Sequence, residues 1–163
     1  AIGEYGHVKE KISEMIIAVE NHKALLLASE INAKPDKHGT MIPDVTPLSV
    51  AVVQFPKVYP RFMEILQLLG ASGLVSIPTE ADLESPIRAD IDQYLQSATT
   101  DAKSRIKLFR LAWDVSMSAF GSRQTLYERF FFGCPTRLAM GLYQEYNRKE
   151  LVDDVARELG FLE

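Results

Sequence analysis

The chain has 163 residues, a formal net charge of −4, and a composition in which 47% of residues are hydrophobic and 25% charged. That length suits a single domain able to bury a core unaided, and an acidic balance with no long basic block excludes a nucleic-acid surface as its main role. The lone Cys134 leaves no intramolecular disulfide to form and fits a reducing, cytoplasmic setting, while no apolar run approaches the roughly 18 residues of a membrane span.

No secretory pattern opens the sequence. It begins Ala-Ile-Gly without a methionine, as expected of a piece of a longer protein and equally of a processed or tagged chain. From about Glu4 to Ala33, Val8, Ile12, Met15, Ile16, Val19, Leu26 and Leu27 recur at helical spacing and predict a long amphipathic helix whose stripe faces the core. Residues 34 to 47, KPDKHGTMIPDVTP, hold three prolines and a glycine and read as a long loop. A second helix is expected from about Leu48 to Leu69, kinked or broken near Tyr59 by Pro56 and Pro60.

An irregular connection, GASGLVSIPTEADLES, follows, in which Gly73 to Ile77 has the only composition that suggests extended chain. Ser85 and Pro86 predict a short third helix, with Ser as its N-cap and Pro at its first position. The fourth starts near Thr100 and Asp101. Its two apolar stripes, Ile106, Phe109, Trp113, Met117 and Phe120 on one side and Leu108, Leu111 and Val115 on another, place it in the middle of a bundle. It either continues through Gly121 to Phe132 or bends there, since glycine in a helix interior costs about 1 kcal/mol. Gly133 ends it, Pro135 opens a fifth helix to about Tyr146, and a last amphipathic piece carries Leu151, Val152, Val155 and Leu159. The whole reads as an all-α, antiparallel helical bundle with one long connection.

Metal chemistry finds little support. Carboxylate-bridged di-iron bundles need Glu-x-x-His twice, and the chain has that spacing once, at Glu4 and His7; HExxH and paired CxxC patterns are absent. Cys134 sits at a helix start, where backbone N–H groups lower a thiol pKa, but it also serves simply as the N-cap residue. QLLGASG, at Gln67 to Gly73, offers glycines that let a backbone approach a ligand closely. Because it follows a helix, where the dipole is negative, a ribose or adenine suits it better than a pyrophosphate; a plain glycine cap and turn would look the same. Gly121, Ser122, Arg123 and Gln124 combine a donor fork suited to phosphate, an amide suited to a ring edge, and a hydroxyl. An exposed arginine beside a packing glycine is the structural alternative.

Together these segments resemble a family. YPR at 59 to 61, EILQLLGASGLVSIPTEAD at 64 to 82, RIKLFRLAWD at 105 to 114, GSRQTLYERFFFG at 121 to 133 and RLAMGLYQEYN at 137 to 147 are similar, in order, to the C-terminal domain of 4-hydroxyphenylacetate 3-monooxygenase oxygenase components. The resemblance implies an antiparallel four-helix bundle like the C-terminal domain of acyl-CoA dehydrogenases, with short C-terminal helices added. On this reading residues 1 to 163 are one helical C-terminal domain, whose N-terminal helical and middle β domains lie outside the sequence. It implies an enzyme that takes reduced FAD from a separate flavin reductase, uses dioxygen, and places one oxygen ortho to a phenol hydroxyl, working as a homotetramer. Candidate flavin contacts are Gln67, Gly70, Ala71, Gly73, Gly121, Ser122, Arg123 and Gln124. The phenol-positioning residues of the family belong to the other domains, so no residue here is assigned as catalytic and the chain alone is expected to be inactive. Where the family pattern has Gly-Asp-Pro, this sequence has Gly133-Cys134-Pro135. Two other readings stand beside it: a helical scaffold used only for association, and a relative that dehydrates 4-hydroxybutyryl-CoA, whose cluster-ligating cysteines and histidines the AWD-to-ERFF segment lacks.

Overall fold

A computed structural model describes residues 2–162. Its elements are α1 (Gly6–Ile31), a minimal hairpin of β1 (Lys34–Pro35) and β2 (Met41–Ile42), α2 (Val45–Gly70), α3 (Glu80–Leu83), α4 (Arg88–Tyr94), α5 (Ala102–Ser116), α6 (Ala119–Phe130), α7 (Pro135–Glu145) and α8 (Lys149–Glu158), with short 3-10 turns at Ile2–Glu4 and Ala71–Leu74. No helix among the described residues is long and apolar enough to cross a membrane.

Helix α2 is the centre of the assembly: α1, α5, α6 and α7 all pack on it, and α5 also packs on α6. Ile65, midway along its C-terminal half, is fully buried. The expectation that the fourth helix is central is therefore corrected. On α5, Leu108 and Leu111 face outward, whereas Ile106 and Ala102 are buried. The bundle is antiparallel where α1 meets α2. Arg61 of α2 donates to both carboxylate oxygens of Glu14 on α1, at 2.6 and 2.8 Å, while at the other end Ser29 Oγ donates to the Asp44 carbonyl at 2.8 Å.

Several boundaries differ from the sequence expectation, each for a local reason. Residues 34 to 47 are not all loop: β1 and β2 pair antiparallel, because the Asp36 carboxylate accepts from the N–H groups of His38 and Thr40 and Gly39 takes φ +83° to close the turn. Helix α2 runs unbroken through Pro56 and Pro60. A proline in a helix interior removes one hydrogen bond and crowds the preceding turn, and here burial of Pro56 and packing on four neighbours offset that cost. The Gly73 region is a 3-10 turn rather than extended chain. Ser85 does not cap the third helix of the sequence reading: α4 begins only at Arg88, and the capping box upstream belongs to Thr79 and Asp82 at the start of α3.

Helix α1 gives the clearest correction. Val8 is buried and Met15 half-buried, but Ile12, Ile16, Val19, Leu26 and Leu27 are exposed, and the side turned to α2 carries Glu14, Ala18, His22 and Ser29. Periodicity found the stripe; it did not find its partner.

Helix starts follow side-chain chemistry. Asp101 accepts from Ser104 N to open α5, and Ser118 accepts from Gly121 N to open α6 after the chain bends at Met117. At α7 the N-cap residue is Cys134, with extended backbone and Pro135 following, but its thiol makes no capping hydrogen bond. The N–H groups of Arg137 and Thr136 nonetheless hold its pKa below the usual thiol range, because they stabilise the thiolate.

Two measurements test these contacts. Replacing Cys134 with Asp supplies an acceptor where those N–H groups already point, and the melting temperature is expected to rise by a few degrees; an unchanged or lower value removes the capping argument. The hydrogen bond from Arg61 holds the Glu14 carboxyl below its ordinary value of 4.5, against a smaller opposing effect of burial. A carboxylate with a lowered folded pKa stabilises fully above its unfolded value and loses that contribution as pH falls through the folded one. Stability measured by denaturant titration is therefore expected to fall below about pH 4.5 less steeply in Glu14→Gln than in the parent.

Candidate functional site

The C-terminal half of α2 and the start of α6 meet where α5 ends. Gln67 Nε2 donates to the carbonyl of Ser116 at 2.9 Å, satisfying one of the free carbonyls at the end of α5. Beside this contact α2 and α6 leave an open groove that Gln67 and Ser122 both line. Three cations also reach it: Lys57 and Arg61 from α2, and Arg129 from α6. Arg61 is bound to Glu14 and Glu64, with Glu64 at 2.8 Å, whereas Lys57 and Arg129 form no ion pair among the described residues. Thr125 Oγ1 bonds back to the Gly121 carbonyl and Ser116 Oγ to that of Ala112, so their remaining lone pairs are what they offer the groove.

The glycines have a different surrounding. A Cβ on Gly121 would stand 2.5 Å from the carbonyl oxygen of Asp114 and 2.6 Å from backbone atoms of Val115, so glycine here lets α6 cross the end of α5. A Cβ on Gly73 would stand 2.2 Å from the Phe109 ring, and one on Gly70 would meet the Leu74 side chain at 2.5 Å. The side-chain space at all three is thus filled by the chain's own packing. Next to Gly73 and Phe109 remains a cavity of about 60 Å³, room for a few waters and not for a nucleotide. Ala71, between these glycines, takes φ +45°, a region that strains any residue with a Cβ and one often retained near ligand sites.

The remaining two candidates stand apart from the groove. Gln124 Nε2 donates to Glu128 Oε1 at 2.6 Å. Arg123 is exposed and forms no ion pair among the described residues. One and two turns along α6 from it are Tyr127 and Phe131, whose ring centroids lie 5.2 Å apart, and Phe132 stacks edge-on to Phe131 at 4.8 Å. These rings are about half exposed. The eight sequence candidates therefore form three groups: Gln67 with Ser122 at the groove, Gly70, Ala71 and Gly73 on the turn against Phe109, and Arg123 with Gln124 on the outer part of α6, with Gly121 buried between. Lys57, Arg61 and Arg129 were not legible as site residues, since each reads as ordinary charge on an amphipathic helix. Only the YPR segment held a signal for Arg61. Among the described residues no three His, Cys, Asp or Glu side chains converge as metal ligands.

A predominantly helical domain built around one central helix, with an open groove at the crossing of α2, α5 and α6, defines the class structurally. An archaeal 4-hydroxybutyryl-CoA dehydratase from N. maritimus shares this fold at a TM-score of 0.86 and 19% identity over the whole chain. The particular family follows from closer matches. Residues 1–160 match the family model "4-hydroxyphenylacetate 3-hydroxylase C terminal", and the chain belongs to that family. It is 52% identical over 149 residues to a probable 4-hydroxyphenylacetate 3-monooxygenase of Bacillus subtilis, covering 91% of this chain and 31% of that one. Against the 4-hydroxyphenylacetate 3-monooxygenase oxygenase component of Thermus thermophilus it is 46% identical, covering 89% and 30%. The crystal structure of an oxygenase component (HpaB) complexed with FAD superposes at a TM-score of 0.89 with 44% identity, over 95% of this chain and 33% of that one. The same component with FAD and 4-hydroxyphenylacetate superposes at 0.90. The chain thus spans about a third of the length of the relatives it matches.

The glycine contacts predict an order of effects. Gly121→Ala places a methyl against backbone that has no room to give and is expected to cost about 1–3 kcal/mol. Gly70→Ala meets the end of a flexible leucine and costs less. Denaturant unfolding of both variants checks this; equal or reversed losses would show that the α5–α6 crossing is looser than described.

Proposed function

We propose that this chain is the flavin-contacting and oligomerising domain of a reduced-FAD-dependent aromatic monooxygenase that hydroxylates a phenol such as 4-hydroxyphenylacetate ortho to its hydroxyl. The observation that carries the reading is the likeness, at 44% identity over nearly the whole chain, to an oxygenase component complexed with FAD and 4-hydroxyphenylacetate. When bound, the reduced flavin supplies the electrons with which dioxygen is activated.

The roles available to this chain's own residues are binding and assembly. Arg123 is a permanent cation with a planar donor fork, exposed and unpaired among the described residues, and a phosphate oxygen of the cofactor is its natural acceptor. Gln124 and Ser122 lie beside it on α6 and supply amide and hydroxyl hydrogen bonds. Gln67 holds the end of α5 and so positions the turn of Gly70, Ala71 and Gly73, which meets the adenosine half of the cofactor from a neighbouring subunit. The exposed apolar side chains of α1, such as Ile16 and Leu27, and of α6, such as Leu126 and Phe130, are surface for the other domains and for further copies of the chain, in a tetramer. The substrate pocket and its catalytic groups belong to the other domains, a separate flavin reductase supplies the reduced cofactor, and the complete enzyme works in the cytoplasm.

In the complete oxygenase, Arg123→Ala is expected to weaken reduced-FAD binding by roughly 1.5–3 kcal/mol, the worth of a charge-assisted hydrogen bond. An anaerobic titration reads this directly, and an unchanged affinity removes Arg123 from the site.

A further inference from the structure

The turn that follows α2 packs on α5, which also meets α4, and between the three lies the cavity of about 60 Å³ beside Gly73 and Phe109. Its walls are mostly apolar, with Ile77, Pro78, Leu95 and Ile106 among them. The single charged residue in its lining is Arg105 of α5.

Arg105 is half-buried. Its guanidinium lies 5.0 Å from the centre of the Phe109 ring, one turn along α5, and Nη1 donates to the Leu95 carbonyl at 3.0 Å. That bond uses one N–H of the fork and leaves the others free. No carboxylate pairs with Arg105 among the described residues. Asp101, one turn earlier, accepts from Ser104 N to start α5.

The rest of the wall adds to the excess of donors. The Leu95 carbonyl is taken by Arg105, and that of Pro78 accepts from Arg110 Nη2 at 2.6 Å. The N–H of Ile77, itself half-buried, forms no hydrogen bond among the described residues. Ser76 lines the same space and brings a hydroxyl. A water would satisfy the Ile77 N–H but leave the guanidinium uncompensated beside apolar walls; an anion satisfies both.

Size and charge select the anion. The space is that of a few waters and excludes a nucleotide. A doubly charged oxyanion would hold oxygens against Pro78 and Ile106, where no donor meets them. A monovalent, weakly hydrated ion avoids that cost.

We propose that this cavity is a binding site for a small monovalent anion such as chloride, held between the Arg105 guanidinium and the Ile77 N–H and tying α5 to the turn after α2. The inference stands apart from the function proposed above, which gives neither Arg105 nor Ile77 a part.

Thermal unfolding of the full chain tests it, at constant ionic strength, with sodium chloride exchanged stepwise for sodium gluconate, whose anion is too large to enter. Arg105→Gln is measured in parallel, so that general salt effects act on both proteins alike. Relative to the variant, the parent is expected to gain about 2–4 °C in melting temperature, saturably, as chloride replaces gluconate. A chloride dependence that is the same in both overturns the site and leaves water as the occupant. If circular dichroism shows the variant unfolded, crystals of the parent soaked in sodium bromide decide the matter. An anomalous peak between Arg105 and Ile77 supports the site, and a cavity without one overturns it.

Discussion

Everything else in this domain depends on one helix remaining continuous where its sequence argues that it should break. α2 passes through Pro56 and Pro60, and each proline removes a backbone donor and crowds the turn before it. The helix nevertheless serves as the common wall for α1, α5, α6 and α7. Interruption near Tyr59 would separate the Arg61 contact to α1 from the α2–α7 packing around Val50 and Val53, and the bundle would lose its axis. The free energy that holds α2 continuous is therefore tertiary: packing on four neighbours, with Ile65 and Pro56 buried, offsets a local penalty of about 3 kcal/mol per proline.

The balance is narrow because the interior is small. Among the described residues the buried apolar side chains are Val8, Pro56, Ile65, Leu74, Ile91, Ala102 and Ile106, and few of them are large. Opposed to these stands a surface of isoleucines and leucines on α1 and of phenylalanines on α6. A monomeric domain seldom leaves apolar surface on several elements at once. The exposed apolar surface belongs to a chain that spans about a third of the length of the relatives it matches.

How much of this was legible in the sequence depended on whether the deciding interaction was local. Asp101 and Pro135 marked their helix starts correctly because a cap or a fixed φ acts within one turn. Ser85 misled, since its hydroxyl turns back to the Asp82 carbonyl while Thr79 and Asp82 cap the previous turn. The continuity of α2 and the outward aspect of Ile12, Ile16 and Leu27 were not legible, because both depend on which neighbour a helix meets. A periodic stripe states that some surface will be buried; it does not state whether the partner lies in the same chain. The family was legible from ordered segments such as QLLGASG and ERFFFG, which recur in the order that the family model matches.

The candidate site shows the same division in its glycines. The absence of a side chain at Gly73 and Gly121 is equally useful to a ligand and to a neighbouring element, so sequence alone leaves both readings open. In the structure the Phe109 ring and the end of α5 occupy that space, and this constrains how a cofactor reaches the region. In the function proposed above, the open approaches are the outer side of α6, by Arg123, and the α2–α6 groove, by Gln67 and Ser122, rather than the glycines themselves. The packing glycines then act indirectly. By letting α6 cross close over the end of α5, Gly121 fixes where Ser122 and Arg123 project, and by seating the turn on Phe109, Gly73 fixes the strained Ala71 backbone. Residues that carry no polar side chain set the geometry from which the polar ones project.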